Sequence, residues 1–407
     1  MKHSKSGPAF RLPAKILGKF ASPDSLLTSN LTLRADIEFT TDCNLRCVYC
    51  ASLNRFYTRQ DLNLEWLDSI VETLKRRGVL TVGVSGHGET TIVKQWNLHC
   101  DKMLDSGLQL YISSNLTREL SEAEAQTLSR FIIVQTSCDT DDLRLFKELR
   151  RGGDFRNLIY NMGKIRACAV KEGRRPPDFW WHCVVSDKTV WKLEQHVNYG
   201  LAQGVKLFNF INLVKHTEIE DAKSVGHITE LPPEQLQEIA SLFSKVFQTI
   251  KKNGATYICD NLFESISERL NHDPSYGFDH RSGPAHTTRQ ELGMTRGCLD
   301  PWIYVKVAVD GGILPCCRTS EALGRLDDNT MLSDIVNNLN MQMFREKLLT
   351  GRLEEVCQTC NIRGWTSIEA LRLKVVLLSR FGKALPLLHK SGILLPLLYR
   401  LRRSALL

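Results

Sequence analysis

The chain has 407 residues, of which 43% are hydrophobic and 24% charged, a composition expected of a soluble globular protein of about two domains. We expect no membrane span, since no run reaches the roughly 18 uncharged apolar residues needed, and no secretory signal, since the basic first twenty residues lack an apolar h-region with a cleavage site. The net charge of +8 sits at the ends: Arg372, Lys374, Arg380, Lys383, Lys390, Arg400, Arg402 and Arg403 follow the last acid, Glu369, and Lys2, Lys5, Arg11, Lys15 and Lys19 precede the first, Asp24, which excludes a uniformly basic nucleic-acid binder.

Residues 1–33 form a basic N-terminal extension. From 34 to 255, β-rich runs at 35–40, 79–85, 108–113, 131–137, 179–185 and 205–213 alternate with helical spacing. Leu64, Leu67, Ile70, Val71 and Leu74 make one apolar stripe, and 188–204 repeats the pattern. Such alternation predicts parallel βα units. The expected fold class is α/β: a partial (β/α)6 TIM-like barrel, with a doubly wound sheet as the alternative, followed by a small C-terminal α+β domain. A long helix is predicted over about 233–253. Residues 256–296 read as linker, with 271–296 rich in His, Gly, Ser, Thr and Pro and without a period. A cysteine-bearing domain covers 297–366, and 367–407 is a basic amphipathic tail.

Most of the thirteen cysteines are grouped: Cys43/Cys47/Cys50, Cys316/Cys317 and Cys357/Cys360. Grouping at ligand spacing favours metal or cluster binding in a cytoplasmic chain over disulfides. Structural zinc wants four ligands in close pairs. Three thiolates on one loop after the first strand suit a cubane cluster with one open iron.

That first set, C-x3-C-x2-C with Tyr49 before the last cysteine, resembles the signature of the radical S-adenosylmethionine (radical SAM) superfamily. The resemblance implies that Cys43, Cys47 and Cys50 hold a [4Fe-4S] cluster whose fourth iron chelates S-adenosylmethionine (SAM). One electron then cleaves the sulfonium to a 5′-deoxyadenosyl radical that takes hydrogen from substrate. Tyr49 would lie against the adenine. "SGHGETT" (85–91) keeps Gly88 and Glu89 of the family's Gly-Gly-Glu-Pro turn, with His87 and Thr90 in the flanking places. Asn115, at a strand end, and Ser137, with Asp139, resemble the family's polar positions for SAM or substrate. "LRRGGDF" (149–155) resembles its Arg-Gly-Gly turn, so Arg151 would pair with the SAM carboxylate.

Downstream, "WIYVKVAVDGGILP" (302–315) predicts a β-hairpin around an Asp-Gly turn. Cys298, Cys316, Cys357 and Cys360 would converge on one cubane cluster or one zinc, with Cys317 as a spare or substitute ligand. The region resembles the SPASM/twitch domain, in its shorter form with one auxiliary [4Fe-4S] cluster, since no cysteine follows Cys360.

Cys100 and Cys168 are expected as buried small hydrophobes. Cys138 and Cys183 are candidates to face the cavity and return a hydrogen atom to a substrate radical; Asp139, His182 and Glu89 are candidate bases. The expected activity is dehydrogenation or epimerisation of a small molecule such as a sugar or alcohol, in the cytoplasm, with a reductant such as flavodoxin or ferredoxin. Maturation of a ribosomal peptide and non-catalytic zinc binding are the alternatives. The tail reads either as a helical cap or as a contact with an anionic membrane surface.

Overall fold

The computed structural model describes residues 27–29, 32–51, 58–214, 219–259, 262, 266, 269–270, 291–327, 329–360 and 363–381. The basic extension before 27 and the tail beyond 381 lie outside them.

The strands are β1 (Arg34–Ile37), β2 (Arg46–Cys47), β3 (Thr81–Gly83), β4 (Gln109–Ser114), β5 (Ile133–Ser137), β6 (Arg150–Arg151), β7 (Asp178–Val185), β8 (Leu207–Asn212), β9 (Thr256–Ile258), β10 (Met294–Arg296), β11 (Tyr304–Val307), β12 (Ile313–Leu314) and β13 (Trp365–Ser367). Helices α1 (Leu67–Arg76), α2 (Trp96–Asp105), α3 (Glu122–Ser129), α4 (Leu143–Leu149), α5 (Phe155–Lys171), α6 (Leu193–Ala202) and α7 (Pro233–Lys252) connect them, followed by α8 (Asp300–Ile303), α9 (Leu332–Ile335), α10 (Leu339–Thr350), α11 (Glu355–Gln358) and α12 (Ile368–Phe381). Helix starts follow local chemistry. Ser121 and Glu124 form a capping box on α3, Asp142 and Asp154 cap α4 and α5, and a proline opens α7.

The main sheet runs β12-β11-β1-β3-β4-β5-β7-β8-β9, parallel throughout except for the β11–β12 hairpin. From β1 to β9 the strands lie in chain order. A doubly wound sheet needs a reversal of that order, and none occurs. Right-handed crossovers in one direction put the connecting helices on one face. That face holds the core: Ile37, Val82, Ile112, Val134, Trp181 and Phe210 pack with Ile70, Met103, Leu158, Val197 and Phe243. The opposite face carries the alternate residues: the polar or charged Asp36, Glu38, Tyr111, Gln135, Ser137, His182, Asn209 and Lys306, with Trp180, Val184 and Ile211 among them.

Two sequence expectations change. Residues 256–258, assigned to the linker, form the edge strand β9, because Gly254 (φ +70) stops α7 and a β-rich "ATYI" follows, as in each earlier unit. The hairpin assigned to a separate domain joins the main sheet: β11 pairs with β1 from Arg34–Tyr304 to Ile37–Val307. Of the stretch expected as loop, 271–290 is outside the described residues, and Met294–Arg296 pairs with β13. A second core of Leu299, Trp302, Phe344, Leu348, Leu371 and Val375 supports this region.

Candidate active site at two cysteine sets

The first cysteine loop leaves β1 and is clamped from two sides. β2 pairs with β6, Cys47 opposite Arg150, and Val48 N–H donates to Leu149 O at 2.9 Å. Gly152 (φ +91) lies so close that a Cβ there would stand 3.2 Å from Asn44 O. On the other side Glu89 N–H donates to Asp42 O at 2.8 Å, and a Cβ on Gly88 would fall 2.3 Å from the same oxygen. Only glycine lets that turn approach the cysteine loop.

Glu89 is buried and fully engaged. Its Oε1 accepts from Thr91 N–H (3.1 Å), Thr91 Oγ1 (2.8 Å) and Ser114 Oγ (2.8 Å), and its Oε2 from Asn115 N–H (2.7 Å). This carboxylate fastens the β3 turn to the end of β4. Asn115 in turn places Nδ2 2.9 Å from Asn44 Oδ1 and 3.9 Å from Cys43 Sγ.

At the end of β5, Asp139 is similarly locked. Arg150 grips it with Nε (2.8 Å) and Nη2 (2.9 Å), Val184 N–H donates at 2.8 Å, and the Tyr49 hydroxyl donates to Oδ2. Arg150 Nη1 also lies 3.9 Å from Cys47 Sγ. The buried guanidinium therefore faces the triplet. Arg151, the arginine expected to serve SAM, is half-exposed and pairs with Asp221 at 2.8 Å. Arg150 is the buried neighbour, because a two-residue strand turns successive side chains to opposite sides.

Burial pushes the Cys43 thiol up to about 12 and the Cys47 thiol to about 11, the latter against the pull of Arg150. Burial also raises the Tyr49 hydroxyl well above its ordinary value. His182 projects from the polar face of β7, where burial and the Arg150 charge lower it to about 4. Ser137 is on the same face of β5, without a side-chain partner among the described residues.

Cys138 and Cys183 do not join this face. Both are buried in the core, and Cys183 Sγ lies 3.5 Å from His196 Nε2 on α6. Strand alternation places Cys183 among Phe179, Trp181 and Val185, on the helix side. Cys100 and Cys168 are buried in α2 and α5, as expected.

The second set surrounds a small cavity of about 20 Å³ lined by Cys298, Cys316, Cys317, Cys357 and Cys360. Arg296 holds its far wall, donating to the carbonyls of Cys357 (2.7 Å), Gln358 (2.6 Å) and Arg363 (2.9 Å). Arg363 pairs with Asp300 at 2.6 Å. Burial raises Cys316 to about 11 and Cys357 to about 12, with Cys316 among the charges acting on Cys357. Among the described residues no three His, Cys, Asp or Glu side chains stand close enough to hold a single metal ion. The fit to a cluster rests on the donors: five soft thiols on one cavity, with guanidinium groups to balance thiolate charge.

Sequence reasoning missed a charged group between the two sets. Glu38, just after β1, and Lys306 on β11 face each other, with Nζ 3.3 Å from Oε1, and His87 donates to the same oxygen from its backbone N–H at 2.7 Å. Beside them, Asp36 accepts from the hydroxyls of Tyr304 (2.6 Å) and Tyr111. The signal was available as charged residues alternating along an otherwise apolar strand, "RADIE".

Residues 298–361 match the SPASM family, described as an iron–sulfur cluster-binding domain. No curated protein matches the sequence. Among solved structures, the chain is similar to Streptococcus suis SuiB bound to its precursor peptide SuiA, at 16% identity over 91% of this chain and 81% of that one, with a TM-score of 0.57. It is also similar to anSMEcpe with bound AdoMet and the Cp18Cys peptide, at 16% identity over 88% and 99%, with a TM-score of 0.53. At this identity the likeness shows a shared fold.

Proposed function

We propose that this chain, a protein of radical SAM fold with a C-terminal SPASM domain, reductively cleaves SAM and uses the resulting 5′-deoxyadenosyl radical to abstract hydrogen from a substrate. The observation that carries this reading is the clamped triplet loop. Gly88 and Gly152 press against its two sides, and Asn115 and Arg150 reach the sulfurs of Cys43 and Cys47.

Cys43, Cys47 and Cys50 would hold the first [4Fe-4S] cluster, and Cys298, Cys316, Cys357 and Cys360 the auxiliary one. When bound, the first cluster and SAM supply the radical, given one electron from a reductant such as flavodoxin or ferredoxin. The chain's own residues bind and orient. Gly88 would let backbone approach the amino-acid end of SAM, Asn115 and Glu89 fix the cysteine loop, and Ser137 would offer a hydroxyl. Arg151 remains the candidate for the carboxylate, and Arg150 holds Asp139 in place beside the cluster loop through two hydrogen bonds. His182, which burial and the Arg150 charge hold in its neutral form down to about pH 4, remains one candidate base beside Asp139 and Glu89. The incomplete barrel would then be the sheet that ends at β9 and β12.

The favoured substrate is a small molecule such as a sugar or alcohol, dehydrogenated or epimerised, and the polar face of the sheet supports it. A second reading, modification of a ribosomal peptide, is supported by the peptides bound in the SuiB and anSMEcpe structures. Anaerobic incubation with reductant, SAM and candidate metabolites or peptides tests the choice. The reading predicts 5′-deoxyadenosine with a two-hydrogen mass change or an epimer. Two zinc ions and no iron in anaerobically purified protein would overturn it.

A further inference from the structure

We propose that Glu38 and Lys306 form a substrate subsite for a pair of adjacent hydroxyl groups, built jointly by the first sheet strand and the SPASM hairpin. The inference rests on the radical SAM reading above.

Both side chains are more than nine-tenths buried, Glu38 at 3% and Lys306 at 6% exposure. Burying two charges is costly unless their bonding capacity is used. It is used unevenly here. Oε1 of Glu38 takes the His87 N–H at 2.7 Å, the His87 ring Nδ1 at 3.0 Å and Lys306 Nζ at 3.3 Å. Oε2 accepts no hydrogen bond among the described residues. Lys306 has three N–H donors, and one long contact to Glu38 is its only bond among those residues. The pair therefore presents an ionised acceptor and a cationic donor side by side.

The arrangement is built for closeness. A Cβ at Gly86 would fall 2.2 Å from Glu38 Oε1, so glycine is needed to let the His87 turn reach the carboxylate. The turn continues directly into Gly88 and Glu89, which touch the triplet loop. A group held by Glu38 and Lys306 thus lies beside the place where hydrogen abstraction would occur.

The chemistry selects the ligand. A carboxylate or phosphate would meet Glu38, and an amine would meet Lys306. A hydroxyl both donates and accepts, so two neighbouring hydroxyls satisfy both partners: one donates to Oε2, the other accepts from Nζ. A trans peptide points its N–H and C=O in opposite directions and engages two adjacent partners poorly. The subsite therefore favours a vicinal diol over a peptide.

The probe is glycerol. Cluster-loaded full-length protein is given SAM, dithionite and perdeuterated glycerol without oxygen. One electron from dithionite splits the sulfonium. The carbon–deuterium bond broken in glycerol supplies the deuterium found on 5′-deoxyadenosine, and a carbon radical is left on glycerol. The readout is the deuterated fraction of the nucleoside, which is independent of how much protein is folded. We expect that fraction to fall more than tenfold in Lys306→Met and in the milder Lys306→Gln. Saturation-transfer NMR of ordinary glycerol on the loaded, unreduced protein supplies a second readout, with a signal in wild type that is lost in both variants. Nucleoside without deuterium, or equal deuteration and equal glycerol signals in wild type and variants, overturns the subsite and leaves the radical reading standing. No nucleoside under any condition overturns the radical reading, while the NMR signals still decide whether the diol is bound at Lys306.

Discussion

Asp139 and Arg150 carry most of the electrostatic order beside the first cysteine loop. Both are buried, the pair is bidentate, and the aspartate has two further donors in Tyr49 and Val184. Removing one member leaves the other charge unpaired, which costs about 3–5 kcal/mol. Asp139→Asn should therefore lower stability to urea by roughly that amount, and an unchanged midpoint would refute the assignment. Two titrations add a pH signature. His182 is lowered from 6.5 to about 4 and Glu38 from 4.5 to about 2. For Glu38 burial opposes the shift, and the His87 hydrogen bonds and Lys306 charge outweigh it. Both folded values are depressed, so the unfolded chain binds more protons and stability falls with falling pH. The His182 contribution is complete above about pH 6.5 and is lost towards pH 4; that of Glu38 is lost between about 4.5 and 2. Urea midpoints across pH 3–8 test this, and His182→Gln should flatten the upper limb. The cysteines were legible from spacing alone. Arg150, Glu38 and Lys306 were not, because their roles depend on which face of a strand they occupy and on pairing between residues far apart in the chain.

Turns and short elements hold the cysteine sets in place. The approach of the Gly88 turn to Asp42 leaves no room for a methyl group against backbone. Gly88→Ala should lower iron from about eight to about four per chain, since each cubane cluster holds four. Retention of all the iron would show that the turn does not shape the first site. Arg296 has the matching part at the second site, through three carbonyls of the 357–363 segment. Arg296→Ala should lose the auxiliary iron and keep the first cluster, as read by EPR. Elements built from local signals were readable: the βα alternation, the Pro233 helix start and the Asp-Gly hairpin. The parallel pairing of β11 with β1 was not, because no local pattern encodes a partner some 270 residues away. Strand β9 was missed because only three residues form it.

At the scale of the molecule, the SPASM region is continuous with the sheet it follows. β11 extends the sheet beyond β1, and Lys306 from that strand meets Glu38. Arg345 is fully buried and spends all five donors on Pro301, Val336, Leu27 and Asn337, tying the residues before β1 to the region after β10. The two cysteine sets thus belong to one folded body, with the polar face of the sheet between them. The sequence placed each set in its segment, and the geometry between them emerged only from the long-range pairing. No helix among the described residues is long and apolar enough to cross a membrane. The central claim is that the first triplet supports reductive cleavage of SAM. The most direct measurement is 5′-deoxyadenosine release under anaerobic, reducing conditions, comparing wild type with the Cys43→Ala/Cys47→Ala/Cys50→Ala variant at equal auxiliary iron. The account predicts nucleoside from wild type and none from the variant; equal release from both would contradict it.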